Sequence, residues 1–366
     1  MEMNKDTVLT LLKEIIHPEK KQDIVSLGCV KRIAAGDSGI EIELVLPRKH
    51  DPFGSSIKRN VLSLLEQHFG KTTPITVTLL EEEQKKNVSE KSGISSIKNI
   101  IAVSAGKGGV GKSTVAVNLA IAVALQGYRT GLLDADVYGP SVPIMTGSTD
   151  YKPFVKEEDG LQKMIPLDKF GIRIMSIGFF VDSSSPVIWR GPMATNVLKQ
   201  LIHQTDWGSM DYLFIDLPPG TGDIHISIVQ ELPLTGAVIV STPQKVALAD
   251  VVKGIEMFRA DKINVPVLGI IENMAWFTPE EMPSHRYYIF GKEGCRKVAE
   301  KYHVPLLGQI PLVMGLTEAG DEGIPVALDQ ETQTGKAFHE LSLAVIKAVE
   351  ERNRTLPPSK KVEVKK

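Results

Sequence analysis

A glycine- and lysine-rich stretch has the residue types and spacing that hold phosphate groups. Gly106, Gly111, Lys112 and Ser113 fit the pattern G-x-x-x-x-G-K-[ST]. Glycines let backbone N–H groups curl around an anion, the lysine brings charge to the outer phosphates, and the serine hydroxyl is a ligand for Mg²⁺. The predicted phosphate-binding positions are Gly106, Lys107, Gly108, Gly109, Val110, Gly111, Lys112, Ser113 and Thr114.

The residues on either side are those that such a loop needs. Ile100–Val103 is an apolar run typical of a buried strand, and Thr114–Gln126 is an Ala-, Val- and Leu-rich helix stopped by Gly127. The helix would point its positive N-terminus at the bound anion. Strand, loop and helix in this order predict a nucleotide-binding site.

Acidic residues follow two further apolar runs. Asp134 and Asp136 come after Thr130–Leu133, and Asp216 comes after Tyr212–Ile215. Open parallel sheets bind ligands beyond the carboxyl ends of their strands, so these carboxylates are expected near the phosphate loop. Mg²⁺ takes oxygen ligands, often through bound water. Any one of these residues could instead cap a helix.

The composition divides the chain into four segments. Residues 1–83 show apolar spacing in the order αββαβ and predict a small α+β domain, and residues 84–97 read as a linker. Over 98–352, strand-like runs alternate with helices, which predicts an α/β domain with a mostly parallel, doubly wound sheet of the P-loop NTPase type. Residues 353–366 predict a disordered basic tail. The predicted strands of the sheet are Ile100–Val103, Thr130–Leu133, Ile172–Ile177, Tyr212–Ile215, Ala237–Val240, Val267–Ile271 and Leu307–Ile310.

Charge and hydropathy exclude several classes of protein. The 366 residues carry a formal net charge of −2, which disfavours a mainly electrostatic nucleic-acid binder. No apolar run approaches the roughly 18 residues of a membrane span, and Met1–Asp6 is polar, without a signal-peptide core. Two cysteines, Cys29 and Cys295, are too few for a disulfide framework. We therefore expect a cytoplasmic protein with no membrane partner.

The second lysine of the loop, Lys107, resembles a known variation of this motif. The form Gly-Lys-Gly-Gly-Val-Gly-Lys-Ser is similar to the deviant phosphate loop of the MinD/ParA/nitrogenase-iron-protein class. That resemblance implies a homodimer in which Lys107 reaches the partner's nucleotide, as an arginine finger does. The alternative for Lys107 is a solvated loop lysine.

Further segments make the resemblance more specific. Together they look like the Mrp/ApbC family of iron–sulfur cluster carrier ATPases: Trp189–Met193, Asp216–Asp223, Ser241–Ala247, Ile271–Met274 and Ile289–Gly291. The resemblance implies an ATPase with Lys107, Lys112 and Asp136 as catalytic residues, Asp136 orienting the attacking water. It assigns Mg²⁺ to Ser113 and Asp216. It also assigns the adenine to Asn273, for which a strand-end turn residue is the alternative.

The sequence departs from this family where a cluster would be bound. Members typically carry Cys-x-x-Cys shortly after Glu-Asn-Met, enough for a bridging [4Fe–4S] cluster in a dimer. Here residues 272–287 contain no cysteine, and Glu280, Glu281 and His285 do not replace a thiolate pair. Cys295 is expected to be a small buried thiol. The cluster ligands are therefore unknown.

The N-terminal module shows a similar departure. Ile24–Gly28 resembles the N-terminal domain of iron–sulfur assembly proteins, which usually has a cysteine before proline after its second strand. Here that position reads Lys49-His50-Asp51-Pro52, and we expect His50 and Asp51 to be solvated.

Two functions follow from these patterns. The first is an ATP-dependent carrier or assembly factor that delivers iron–sulfur clusters to apoproteins, or works with an assembly scaffold, as a homodimer. The alternative is an ATP-gated dimeric switch of the MinD/ParA type that binds protein or DNA partners without a cluster. The match along residues 1–350 favours the first.

Overall fold

The chain forms two compact units, Met1–Glu90 and Lys91–Lys366. The computed structural model describes residues 4–36, 39–46, 53–70, 72–80, 93–158, 161–181, 191–279, 282, 285–313, 320 and 322–361. Several candidates from the sequence lie outside these ranges: His50, Asp51, Glu280, Glu281 and the pair 189–190.

The first unit is the predicted αββαβ module. Its elements are α1 (Lys5–Leu12), β1 (Val30–Gly36), β2 (Gly39–Val45), α2 (Gly54–Phe69) and β3 (Ile75–Leu80). The strands lie in the order β1-β2-β3, with β1 antiparallel and β3 parallel to β2. Ile40, Ile42 and Leu44 alternate along β2 and are buried against Val61 and Leu65 of α2. The alternating apolar pattern of β2 therefore determines which face of the strand packs against the core of the first unit.

The second unit contains one large sheet and the helices that cover it. Its strands are β4 (Ile97–Ser104), β5 (Thr130–Asp134), β6 (Val155–Glu158), β7 (Leu161–Met164), β8 (Leu167–Lys169), β9 (Ile172–Ser176), β10 (Met210–Asp216), β11 (Gly236–Ser241), β12 (Val267–Glu272) and β13 (Leu306–Gln309). Its helices are α3 (Lys112–Leu125), α4 (Val142–Met145), α5 (Gly191–Gln204), α6 (Asp223–Glu231), α7 (Lys245–Arg259), α8 (Gly294–Tyr302) and α9 (Gln333–Thr355). Short 3₁₀ turns occupy Ile177–Phe180 and Val326–Leu328.

Among the described residues, the large sheet has eight strands in the order β13-β12-β11-β4-β10-β5-β9-β8. All neighbours are parallel except β8, which is antiparallel to β9. This confirms the predicted α/β class. The sequence did not reveal β8 or the β6–β7 hairpin, because these short segments lack the continuous apolar run by which the other strands were recognised.

Helix α3 is the buried centre of this unit. Ten of its residues, from Lys112 through Val123, are buried, as expected of a helix that is apolar on all sides. It packs between the sheet and α9, and Asn118 accepts a hydrogen bond of 2.9 Å from the backbone N–H of Ala327. The phosphate loop is thus attached to the most deeply packed helix of the unit. None of the helices in the described ranges has the length and apolarity to cross a membrane.

Candidate functional site

The predicted phosphate loop joins the central strand β4 to the N-terminus of α3. β4 lies between β10 and β11, and α3 begins at Lys112, directly after Gly111. Gly109 and Gly111 have φ values of +80° and +79°. A residue with a Cβ adopts this left-handed backbone only at an energetic cost, so glycine is favoured at both positions.

Neighbouring elements contact the loop at three of its glycines, and at two of them the approach is too close for a Cβ. A Cβ at Gly106 would collide with the backbone of Asp250 in α7, and a Cβ at Gly111 would collide with the side-chain amide of Asn273. A Cβ at Gly108 would lie 4.0 Å from the Cβ of Pro219. The loop is therefore in contact with the segments that follow β10, β11 and β12.

The Lys112 amine is the centre of a buried polar cluster. The residue is only 6% exposed. Its Nζ donates to Asp216 Oδ1 at 2.5 Å and to Ser113 Oγ at 3.2 Å, and it lies 3.5 Å from Asp136 Oδ2. The three predicted site residues Lys112, Asp136 and Asp216 therefore meet at one point, although they come from three different segments of the chain.

Two buried carboxyl groups face each other across the ends of β5 and β10. Asp134 and Asp216 are partners in the register of these strands, and both are fully buried. Burial, and then the charge of Asp216, raises the pKa of Asp134 to about 7. Burial also raises the pKa of Asp216, against the opposing effect of Lys112. Loss of hydration disfavours the charged carboxylate, so these buried carboxyl groups favour either protonation or pairing with a cation.

The donor set beside Lys112 fits Mg²⁺. Asp216 Oδ2 is buried and has no hydrogen-bond partner among the described residues, and the Ser113 hydroxyl lies within hydrogen-bond distance of the same Lys112 amine. A buried carboxylate and a hydroxyl that contact the same amine form a set of hard oxygen donors, which Mg²⁺ prefers. Ser113 and Asp216 are thus the residues that could hold the metal, Asp216 through water.

Asn273 lies directly after β12 and is 1% exposed. Its side-chain Nδ2 donates to the Val110 carbonyl at 2.9 Å, and its backbone N–H donates to the Ser241 carbonyl at 2.7 Å. Its Oδ1 is buried and, among the described residues, has no partner. Asn273 thus contacts the phosphate loop through Nδ2 and has one acceptor that is not used by the described residues.

Lys107 differs from Lys112 in its surroundings. It lies in the exposed part of the loop, and no hydrogen bond or ion pair joins it to the described residues of its own chain. An exposed ammonium group next to a phosphate loop is compatible both with a solvated lysine and with a cation supplied to a second molecule.

Sequence reasoning missed two polar residues near this cluster. Ser176, at the end of β9, donates to Asp134 Oδ2 at 2.8 Å. His225, in α6, is 2% exposed, and its Nε2 has no partner within the described residues. Burial lowers the pKa of His225. The sequence could have pointed to His225, because this residue comes just after the Asp216–Asp223 segment. No feature of the neighbouring sequence pointed to Ser176.

Comparison with known proteins shows the family of this chain. The model of the NUBPL iron-transfer P-loop NTPase family matches residues 96–346. The chain belongs to this family. The predicted ATPase class and the Mrp/ApbC resemblance are thereby confirmed. Residues 5–73 match a second family model, that of the iron–sulfur cluster assembly proteins.

Relatives of this NTPase are similar over most of its length. An iron–sulfur cluster carrier protein of Synechocystis is 40% identical over 92% of this chain and 95% of its own. The Escherichia coli K12 protein of the same name is 42% identical over 86% of this chain and 84% of its own. A solved nucleotide-binding protein from Archaeoglobus fulgidus, in complex with ADP, is 36% identical, with a TM-score of 0.56 over 66% of this chain and 94% of its own.

Both cysteines of this family member are buried. Cys295 is fully buried at the start of α8, where its Sγ lies 3.8 Å from the Thr242 carbonyl. Its backbone N–H donates to Glu272 Oε2 at 2.7 Å, and burial raises the pKa of its thiol. Cys29 is 2% exposed within the core of the first unit. Iron is bound by the thiolate form, which burial in apolar surroundings disfavours, so neither environment favours cluster binding.

The segment that lacks the Cys-x-x-Cys pair has a structure of its own. Phe277 pairs with Tyr287 through two backbone hydrogen bonds of 2.8 Å and also bridges to Leu312. The Arg286 guanidinium lies 4.2 Å above the ring centroid of Trp276. Within the described ranges, no three His, Cys, Asp or Glu side chains gather as a metal site. The cluster ligands, unknown from the sequence, are thus not found among the described residues.

Proposed function

We propose that this chain is an ATP-hydrolysing factor that carries iron–sulfur clusters to apoproteins and acts as a homodimer in the cytoplasm. The group of charged side chains around the Lys112 amine carries the proposal of ATP hydrolysis, because phosphoryl transfer requires such a cation and such carboxylates. The carrier names of the relatives and the assembly-protein match of the first unit support the cargo.

The phosphate loop binds the nucleotide in this proposal. Residues 106–114 supply N–H groups and Lys112 supplies charge to the phosphates of ATP, while Asn273 Oδ1 accepts from the adenine. Mg²⁺, held by Ser113 and by Asp216 through water, would neutralise phosphate charge. Lys112 has three ammonium protons, so its amine can exchange the Asp216 contact for a phosphate oxygen while it keeps its other side-chain contacts.

Hydrolysis needs a water in line with the terminal phosphate. Asp136 Oδ2 lies 3.5 Å from the Lys112 amine and the residue is 7% exposed, so its carboxylate can accept a hydrogen bond from a water beside that amine and orient it. Lys107 is exposed and would deliver its charge to the nucleotide of the partner protomer. A cation that acts only on charge developing in the transition state raises kcat without tightening substrate binding.

The iron–sulfur cluster is the cargo in this proposal, and the burial of both cysteines affects how firmly the protein can hold it. Because [4Fe–4S] clusters are normally held by four thiolates, we expect labile, substoichiometric cluster in a chain whose two thiols are both buried. Transient binding at the dimer interface, with thiolates lent by the donor or acceptor protein, is consistent with a carrier.

The test is an anaerobic iron and sulfide assay of the purified protein, with and without ATP, beside ATP hydrolysis. We expect Mg-dependent hydrolysis and labile cluster in amounts below those of a relative with Cys-x-x-Cys. Hydrolysis with no cluster under any condition, and no effect of deletion on iron–sulfur enzymes, would instead favour the partner-binding switch.

A further inference from the structure

Ser176 links the end of β9 to the carboxylates of the site. It is fully buried and is the register partner of Asp134 on the neighbouring strand β5. Its Oγ donates to Asp134 Oδ2 at 2.8 Å and accepts the backbone N–H of Gly178 at 2.9 Å. The single hydroxyl proton of Ser176 is therefore committed to Asp134.

Asp134 passes this constraint on to Asp136. The other oxygen of Asp134, Oδ1, accepts the backbone N–H of Asp136 at 3.1 Å. The Asp136 carboxylate in turn accepts the Tyr138 N–H at 3.2 Å and faces the Lys112 amine. A continuous series of hydrogen bonds thus runs from the Ser176 hydroxyl to the backbone that carries the Asp136 side chain.

The turn after Ser176 also packs against the loop that follows Asp136. A Cβ at Gly178 would meet the ring of Pro143 at 2.9 Å and that of Pro140 at 3.1 Å. The Ser176 hydroxyl holds this turn through the Gly178 N–H. Residues 136–143 are consequently supported at their start through Asp134 and near their end by the 177–180 turn.

We propose that Ser176 is a positioning residue for ATP hydrolysis, which fixes the Asp136 carboxylate through Asp134. This inference rests on the proposed role of Asp136 in orienting water. Without the Ser176 donor, Asp134 Oδ2 loses its hydrogen bond, and the carboxylate that accepts the Asp136 N–H is held less firmly. A displacement of about 1 Å at a catalytic group can cost up to about 100-fold in rate, while the phosphate loop, which Ser176 does not touch, still binds Mg·ATP.

The experiment compares Ser176→Ala with Ser176→Thr and with Ser342→Ala. Ser342 is a matched control, because it is also fully buried and hydrogen-bonded, to the His339 carbonyl on α9, outside the site. Steady-state hydrolysis gives kcat and KM, and binding of a non-hydrolysable ATP analogue gives Kd. We expect Ser176→Ala to lower kcat about 10- to 100-fold, with KM and Kd within about 3-fold of wild type. Ser176→Thr, which keeps the donor, should recover most of the loss, and Ser342→Ala should retain wild-type kcat.

A double mutant separates this inference from the proposed role of Asp136. If Ser176 acts through Asp136, adding Ser176→Ala to Asp136→Ala lowers the rate no further. Wild-type kcat in Ser176→Ala, with an inactive Asp136→Ala, overturns only the positioning role of Ser176. Wild-type kcat in Asp136→Ala overturns the proposed role of Asp136 itself. Equal losses of kcat in Ser176→Ala and Ser342→Ala would show that the loss of any buried hydroxyl lowers activity through general destabilisation. That result would overturn the inference.

Discussion

Lys112 donates a hydrogen bond of 2.5 Å to the carboxylate of Asp216, a residue 104 positions later in the chain. The phosphate-loop lysine and the acidic residue at the end of β10 thus contact each other directly. One cation and the buried carboxylates around it form a unit, so the effect of changing one member depends on the others.

The two lysines of the loop should respond differently to removal. Lys112→Ala should weaken binding of Mg·ATP by at least about 10-fold, because a buried cation facing the phosphates is lost. Lys107→Ala should bind Mg·ATP within about 3-fold of wild type but lose hydrolysis, because its charge acts in trans on the transition state. Calorimetric binding and phosphate release measure the two effects. Equal loss of affinity in both variants would remove the basis for the role in trans.

Asp136→Ala should bind Mg·ATP and accumulate in the ATP-bound dimer, because the group that orients the attacking water is gone while the phosphate loop is intact. Size-exclusion chromatography coupled to light scattering, with and without ATP, measures the dimer. A variant that binds ATP normally yet stays monomeric and hydrolyses at the wild-type rate contradicts the assignment.

Gly111→Ala should abolish tight nucleotide binding. The φ of +79° costs a residue with a Cβ about 1–2 kcal/mol, and the new methyl group meets the Asn273 side chain. Gly127→Ala is the matched control, because Gly127 has a φ of +89° but nothing near its would-be Cβ. Both variants should lose thermal stability, but only Gly111→Ala should lose ADP affinity. Equal affinities in the two would show that the close approach to Asn273 does not matter.

The cysteines should resist modification in the native protein. Both thiols are buried, and the pKa of Cys295 is raised by burial and by the nearby Glu272, so little thiolate is present at neutral pH. Mass spectrometry after iodoacetamide treatment should find both unlabelled in buffer and fully labelled in urea. Rapid labelling of the native protein would show that the thiols are accessible and restore them as candidate cluster ligands.

Asp211 should make the stability of the second unit depend on acid pH. Its carboxylate accepts hydrogen bonds from Arg129 and pairs with Lys98 at 2.9 Å, and these hydrogen bonds lower its pKa below the ordinary 3.8. A carboxyl with a lowered folded-state pKa stabilises the fold above the unfolded pKa, and this stabilisation is lost as pH falls towards the folded value. The Arg129 and Lys98 side chains are more than half exposed, so the contribution is modest.

We therefore expect Asp211→Asn to lower Tm by about 1–3 °C at pH 7, with a difference that shrinks below about pH 4. Thermal unfolding of both proteins across this range is the measurement. A difference that grows as the pH falls would have the wrong sign for a salt-bridged carboxylate.

Sequence alone determined the features that depend on local geometry. The phosphate loop needs glycine at left-handed positions such as Gly109 and Gly111 and a lysine at the start of a helix, so its pattern is readable from a few adjacent residues. The alternating residues of β2 and the apolar run of β4 likewise follow from the period of a strand and the burial of a parallel sheet.

Only the tertiary structure decided which distant groups meet. The order β10-β5-β9 in the sheet brings Asp216, Asp134 and Ser176 side by side, and strand order is set by how the helices pack rather than by any local pattern. The same packing buried Cys295 and brought the Lys112 amine onto Asp216. A buried hydroxyl such as Ser176 leaves no mark in the sequence, because its role depends on a partner that only the folded sheet supplies.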